Sequence, residues 1–215
     1  MRRLIVPLCL LVLLLMPTPL PAQSHGGLIG GPGISRIVAE DGDFQAASES
    51  TSSYAVGVQG LVKFQEFIGL APELLFARRG WDTEGFAFGQ EFATEYRISY
   101  LELPILLRIA VPIGDVVAPK ILAGPHGALF LDGKATGGTT GPFLDASAGT
   151  DIDSEDVNDL QFGVTAGVGL DLNFKVVVLT SDVRYVRNFT QVFESDIDDE
   201  QTFHESWMFM FGLMF

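Results

Sequence analysis

Trp207-Met208-Phe209-Met210-Phe211-Gly212-Leu213-Met214-Phe215, the last nine residues, alternate a large apolar group with a slimmer one. Side chains along a strand point to opposite faces with period two. One face of this strand is therefore a ladder of Trp207, Phe209, Phe211, Leu213 and Phe215. An exposed hydrophobic edge of that kind invites aggregation in a soluble protein. A closed barrel in lipid has no edges and needs an apolar outer face. The stretch thus predicts an all-β fold, an eight-stranded antiparallel up-and-down transmembrane β-barrel.

The opposite end supplies an address. Met1-Arg2-Arg3 precedes an apolar run of 13 residues from Leu4 to Met16. A bilayer-spanning helix needs about 20, so this run reads as the apolar region of a signal peptide. Leu20-Pro21-Ala22 suits cleavage, giving a signal over residues 1–22 and a mature barrel domain over 23–215. Cys9, the only cysteine, leaves with the signal, and no thiol chemistry or disulfide remains. Two of the 13 basic residues leave as well and none of the 27 acidic ones, which takes the net charge from −14 to −16. Such a surface repels nucleic acid.

Working back from the last strand, seven more candidates appear at residues 27–38, 54–64, 68–79, 96–109, 120–131, 160–171 and 175–188. In the sixth, Leu160, Phe162, Val164, Ala166, Val168 and Leu170 oppose Gln161, Gly163, Thr165, Gly167, Gly169 and Asp171. The fifth is apolar on both faces and has no readable register. Connections after odd strands are long (39–53, 80–95, 132–159, 189–203); those after even strands are short. Long extracellular loops and short periplasmic turns are the habit of transmembrane barrels, which puts both termini in the periplasm. Pro72, Pro104 and Pro125 fall inside candidates and call for bulges or strand ends, because proline lacks the ladder donor.

Alternation alone leaves two orientations. A soluble periplasmic barrel would wrap the apolar face around an apolar ligand. Three features favour lipid outside. Glycines dominate the second face of the sixth strand. Charges of both signs share the polar faces. Tyr54, Trp81, Tyr96, Tyr185, Trp207 and Phe215 sit near strand ends, where interface girdles lie. An eight-stranded barrel is just wide enough for side chains to fill. Glu73, Arg79, Glu102, Arg108, Asp182 and Arg184 are accordingly expected to form a lumen charge network, since buried charges must be paired. A narrow passive pore is the less favoured alternative.

Glu73-Leu74-Leu75-Phe76-Ala77-Arg78-Arg79-Gly80, Tyr100-Leu101-Glu102-Leu103-Pro104-Ile105-Leu106-Leu107-Arg108 and Leu122-Ala123-Gly124-Pro125 occur in that order, followed by Gly163 to Leu170 and Asp182-Val183-Arg184-Tyr185. Together they resemble the outer-membrane β-barrel family with the porin-family label, common in Bacteroidota and related bacteria. The resemblance covers most of the mature chain. It implies residence in the bacterial outer membrane and no catalytic residue. It also makes Phe215 resemble the signal read by the barrel-assembly machinery, a partner during biogenesis alongside outer-membrane lipid.

Other chemistry finds little support. Gly133-Lys134 lacks the earlier glycine and the following Ser or Thr of a phosphate loop, and Gly30-Gly31-Pro32-Gly33 is not a dinucleotide fingerprint. His25, His126 and His204 have no second histidine at zinc spacing. Ser206 near His204 lacks the nucleophile elbow of an acyl hydrolase. No catalytic residue and no cofactor is expected. The long loops are acidic, and Asp151, Asp153, Glu155 and Asp156 offer hard oxygens for a divalent cation, or for bridging to lipopolysaccharide phosphates. The plainer reading is a solvated face that resists clumping.

Overall fold

The computed structural model describes residues 24–40, 48–87, 90–140, 146–152, 158–174, 176–190 and 201–215. The proposed signal over 1–22 lies outside them. Nine strands follow in chain order: β1 (Ser24–Glu40), β2 (Ser48–Lys63), β3 (Ile68–Ala87), β4 (Gln90–Ala110), β5 (Val117–Thr140), β6 (Ala146–Ile152), β7 (Leu160–Phe174), β8 (Val177–Asn188) and β9 (Gln201–Met214). Eight of them close a ring in the order β1-β2-β3-β4-β5-β7-β8-β9, and β9 returns to β1, every pair antiparallel. β6 pairs with the upper part of β5, along the edge that β7 pairs with lower down.

The ring is staggered. Stepping from partner to partner, Ser24 leads through Val62, Leu70, Leu107, Ala123, Ala166, Tyr185 and Trp207 to Ile34, ten residues further along β1. Strands 4.8 Å apart that rise 3.3 Å per residue must then tilt by roughly 40° to close.

The apolar face looks outward. Phe162 and Val164 are 57% and 40% exposed, whereas Glu102 and Arg184 are 4% and 3% exposed. Leu28, Val56, Phe76, Ile105, Ile121, Val168, Leu179, Trp207, Phe209 and Phe211 share the outer wall. A carrier of an apolar ligand would show the reverse. No described helix is long and apolar enough to span a membrane; the strands carry the apolar surface.

Three expectations need correction. First, the strands run further than the alternation indicates. β3 and β4 continue to Ala87 and Gln90 and pair to their tips, and β5 continues to Thr140 and pairs with β4 and β6. The segments read as loops at 80–95 and 132–159 are thus largely hairpin. Residues 132–159 are rich in Gly, Thr and Asp, and at Thr83–Glu84 and Leu131–Asp132 successive residues are exposed on both faces, so the period-two signal fades. Second, the prolines sit neither at bulges nor at strand ends. The register shifts lie at Ser50/Tyr54 and Ser99/Tyr100. The ladder instead drops pairs beside each proline: between Gln59↔Glu73 and Val62↔Leu70 for Pro72, between Pro72↔Ile105 and Leu75↔Glu102 for Pro104, and between Pro104↔His126 and Leu107↔Ala123 for Pro125. Register is the same on both sides of each gap, as expected where only the donor is missing. Third, Trp81 is no girdle residue. It is buried, and its ring stacks on Tyr96 with centroids 4.7 Å apart. Tyr54, Trp207 and Phe215 do lie outward and exposed.

Candidate functional site

The inward side chains of an eight-stranded ring face one another across a narrow lumen, so every interior position must be filled and satisfied. β7 supplies the room. Its inward Gly163, Gly167 and Gly169 sit opposite Asn188, Arg184 and Asp182 of β8. A Cβ on Gly169 would lie 2.5 Å from the Cβ of Asp182, and one on Gly167 would lie 3.0 Å from Cγ of Arg184. Glycine on one strand is what lets long charged groups stand on the next.

The larger network occupies the half nearer the short turns. Arg184 donates from Nη1 to Glu73 Oε2 at 2.5 Å and from Nη2 to Glu73 Oε1 at 3.0 Å. Its Nε and Nη2 also reach the two oxygens of Asp182. Lys120 Nζ lies 3.0 Å from Asp182 Oδ2 and 3.0 Å from Asp171 Oδ1, and it donates to Thr180. Arg108 completes the chain on Asp171. Higher up, Arg79 donates from Nε to Glu102 Oε1 at 2.7 Å and from Nη1 to Ser206. A neutral relay runs beside it: His126 Nε2 meets Asn188 Oδ1 at 2.7 Å, Asn188 donates to Gln161 at 2.6 Å, and Gln161 donates to the Tyr100 hydroxyl at 3.2 Å. Arg79, Arg108, Lys120 and Arg184 are thereby matched to Glu73, Glu102, Asp171 and Asp182.

Apolar groups fill the remainder. Ala71, Leu106 and Leu122 pack together at the level of the larger network. Ile29, Ala55, Leu75, Met208 and Met210 pack between the charged groups. Trp81, Ile98, Tyr100 and Ala128, backed by Tyr96, Phe130 and Ile152, cap the end with the long hairpins. Under this cap, His204 meets Trp81 edge-on at 5.4 Å, and neither ring nitrogen has a hydrogen-bond partner among the described residues. Two voids among the lumen side chains measure about 10 Å³ each, which is room for one water.

All six residues singled out for a charge network point inward. Glu73, Asp182 and Arg184 are joined directly, Arg108 joins them through Asp171 and Lys120, and Arg79 and Glu102 form a separate pair. The alternation did not deliver Lys120, because β5 is apolar on both faces. Leu122 turns inward there while Ile121, Ala123 and Pro125 turn out. Of the candidate cation ligands, Asp151 is exposed on β6 opposite Lys134; Asp153, Glu155 and Asp156 lie outside the described residues. Among the described residues no three His, Cys, Asp or Glu side chains gather around one point. Phe215 exchanges backbone hydrogen bonds with Gly26 at 2.9 and 3.2 Å, and the residue is 68% exposed.

A family model described as "Outer membrane protein beta-barrel domain" matches residues 22–194. Among solved structures, the chain is similar to Neisserial surface protein A (12% identity, 88% of this chain and 95% of that one, TM-score 0.45). It is also similar to the outer membrane protein OprG from Pseudomonas aeruginosa (14% identity, 90% and 97%, TM-score 0.45). A third is Ail, the attachment invasion locus protein of Yersinia pestis, in complex with the heparin analogue sucrose octasulfate (14% identity, 89% and 99%, TM-score 0.36). No curated protein matches the sequence.

Proposed function

The chain belongs to the outer membrane β-barrel domain family, and from that premise we propose that it serves the bacterial outer membrane as a structural or interaction barrel, not as a pore or an enzyme. The filled lumen carries this reading. Four cations are matched to four carboxylates, apolar layers separate them, and the two voids described between them have room for one water each. A conducting channel needs a continuous polar path that ions can enter and leave, and hydrophobic constrictions close one by excluding water. The Trp81–Tyr96 stack sits across one end of such a path. Buried charges at membrane depth are more often functional than not. Here mutual pairing leaves them no net charge to offer a solute.

The surface available to a partner is the pair of hairpins, β3–β4 and β5–β6, that rise past the ends of β7 and β8. Their exposed acids include Glu84, Asp132 and Asp151. A cationic or divalent-bridged partner fits that charge. The test is single-channel recording of the folded, full mature protein in a planar bilayer. No steady conductance step is expected at either polarity. A reproducible unitary conductance from pure protein would replace this reading with the pore.

A further inference from the structure

Below the four matched pairs the lumen holds a fifth cation. Lys63 ends β2 on the inward face, one same-face step past the buried Leu61. It is half-buried, and among the described residues it makes no hydrogen bond or ion pair. The inward carboxylates described, Glu73, Glu102, Asp171 and Asp182, are already held by Arg79, Arg108, Lys120 and Arg184. Glu66 in the β2–β3 turn and Asp115 in the β4–β5 turn are exposed, and among the described residues neither is ion-paired to Lys63 or Arg108.

Lys63 and Arg108 stand in one transverse rung on either side of a glycine. Lys63 is the register partner of Gly69 on β3, and Gly69 is the partner of Arg108 on β4. Neighbouring strands lie about 4.8 Å apart, so the two cationic residues are about 10 Å apart at the backbone, with no side chain between them in that rung. A Cβ on Gly69 would already come within 3.0 Å of Leu61 Cδ1 and of the Val62 carbonyl oxygen, and any longer group would fill the notch. The frame is tight: Phe64 and Gln65 both donate to the Ile68 carbonyl at 3.0 and 3.2 Å, and Ala110 donates to that of Phe67 at 2.8 Å. Arg108 is 11% exposed at its side chain; it holds Asp171, yet its Nε is buried without a hydrogen-bond partner. The Lys63 ammonium and the Arg108 guanidinium repel each other, and His25, opposite Leu61 on β1, feels both charges. Donors left unmatched away from water are costly, and an oxyanion that meets them through charge-assisted hydrogen bonds removes that cost.

The geometry points to an oxyanion site at the short-turn mouth of the lumen: Lys63 and Arg108 hold a phosphate group between them across Gly69, with His25 at its rim. Short turns lie on the periplasmic side. The phosphate therefore comes either as a soluble ion or ester or as the headgroup of an inner-leaflet phospholipid. The site lies at the opposite end of the barrel from the acidic hairpins, needs no divalent cation, and stands whether or not those hairpins meet a partner.

Solution NMR of the folded, full mature protein in non-ionic, phosphate-free micelles tests this through backbone amide shifts. Four probes are added at constant ionic strength: sodium chloride, inorganic phosphate, glycerol 3-phosphate and short-chain phosphatidylglycerol. The amides of Lys63, Gly69 and Arg108 should shift saturably with a phosphate probe, at a midpoint at least about tenfold below any response to chloride. Lys134, an exposed lysine on β5 toward the long hairpins, should stay still. Lys63→Gln should raise the midpoint at least about tenfold, and Lys63→Arg should keep it close to wild type. Lys63 has no partner to lose, so both variants should retain the heat-modifiable gel mobility of a folded barrel; should Lys63→Gln misfold, the location of the wild-type shifts decides alone. Saturation by the soluble phosphates upholds the site with a periplasmic ion or ester as its ligand. Saturation by phosphatidylglycerol alone upholds it with a lipid headgroup. Any of four results overturns the proposal: no saturable shift with any phosphate, an equal response to chloride, shifts that fall on Lys134 as strongly as on Gly69, or an unchanged midpoint in folded Lys63→Gln.

Discussion

Arg184 is the side chain on which the lumen turns. It is 3% exposed and holds Glu73 across the barrel and Asp182 on its own strand. Removing one partner of a buried ion pair leaves the other charge uncompensated, at about 3–5 kcal/mol. Arg184→Ala should therefore lower unfolding stability in lipid vesicles by that amount, read from the urea midpoint and slope. Arg184→Lys keeps the charge but not the two-sided fork, and its loss should be smaller. An Ala variant as stable as wild type would show that the network is solvated after all. A single residue on the other face tests the orientation of the wall. Leu103 stands outward in mid-strand, and Leu103→Arg should cost about 2–4 kcal/mol in the same assay. That Arg184 faces inward follows from counting by two along its strand. Which carboxylates it meets does not, because Glu73 lies 111 residues away and is brought near by the stagger of the ring.

β7 shows what an element must give up for its neighbour. Its outward residues are large and its inward ones are small, and the glycines take the space that Asp182, Arg184 and His126 need. Gly169→Val places branched carbon where Asp182 stands, and overpacking of this kind costs about 1–3 kcal/mol. The expected readout is a lower melting temperature in micelles with unchanged strand content by circular dichroism. An unaffected melting temperature would mean the lumen has slack that the voids do not suggest. At this scale legibility followed burial. β7 and β9 meet lipid on one face and the crowded interior on the other, so their period is clean. β5 packs Leu122 inward against Ala71 and Leu106, and its alternation disappears. At Thr83 and Glu84 of β3 and at Leu131 and Asp132 of β5 successive residues are exposed on both faces, so the alternation that marks a strand is lost there. The prolines mislead for a related reason. A lost donor inside a ring held on both sides costs one pair, whereas at a free edge it would end the strand.

For the molecule as a whole, closure and plugging come from different parts of the chain. Closure is β1 meeting β9, which joins residues 27–40 to residues 201–214. β6 takes no part in it, since among the described residues it pairs with β5 alone, from Gly133 to Thr139. β5 below that point is held by β4 on one side and β7 on the other, down to Val117↔Leu172. Replacing residues 135–157 by a short Gly-Ser turn should leave a folded barrel. The cap over the lumen draws on the hairpin only through Ile152; Trp81, Ile98 and Tyr100 come from β3 and β4. Ile152 is only partly buried, so losing it should cost less than the roughly 1.5–3 kcal/mol of a fully buried isoleucine. The shortened protein is expected to keep its heat-modifiable mobility, melt a few degrees lower and remain electrically silent. Failure to fold would make the hairpin part of the closure. A conductance step that appears only on deletion would make it the plug, and would move the barrier from the paired charges and the aromatic stack to the acidic arm above them.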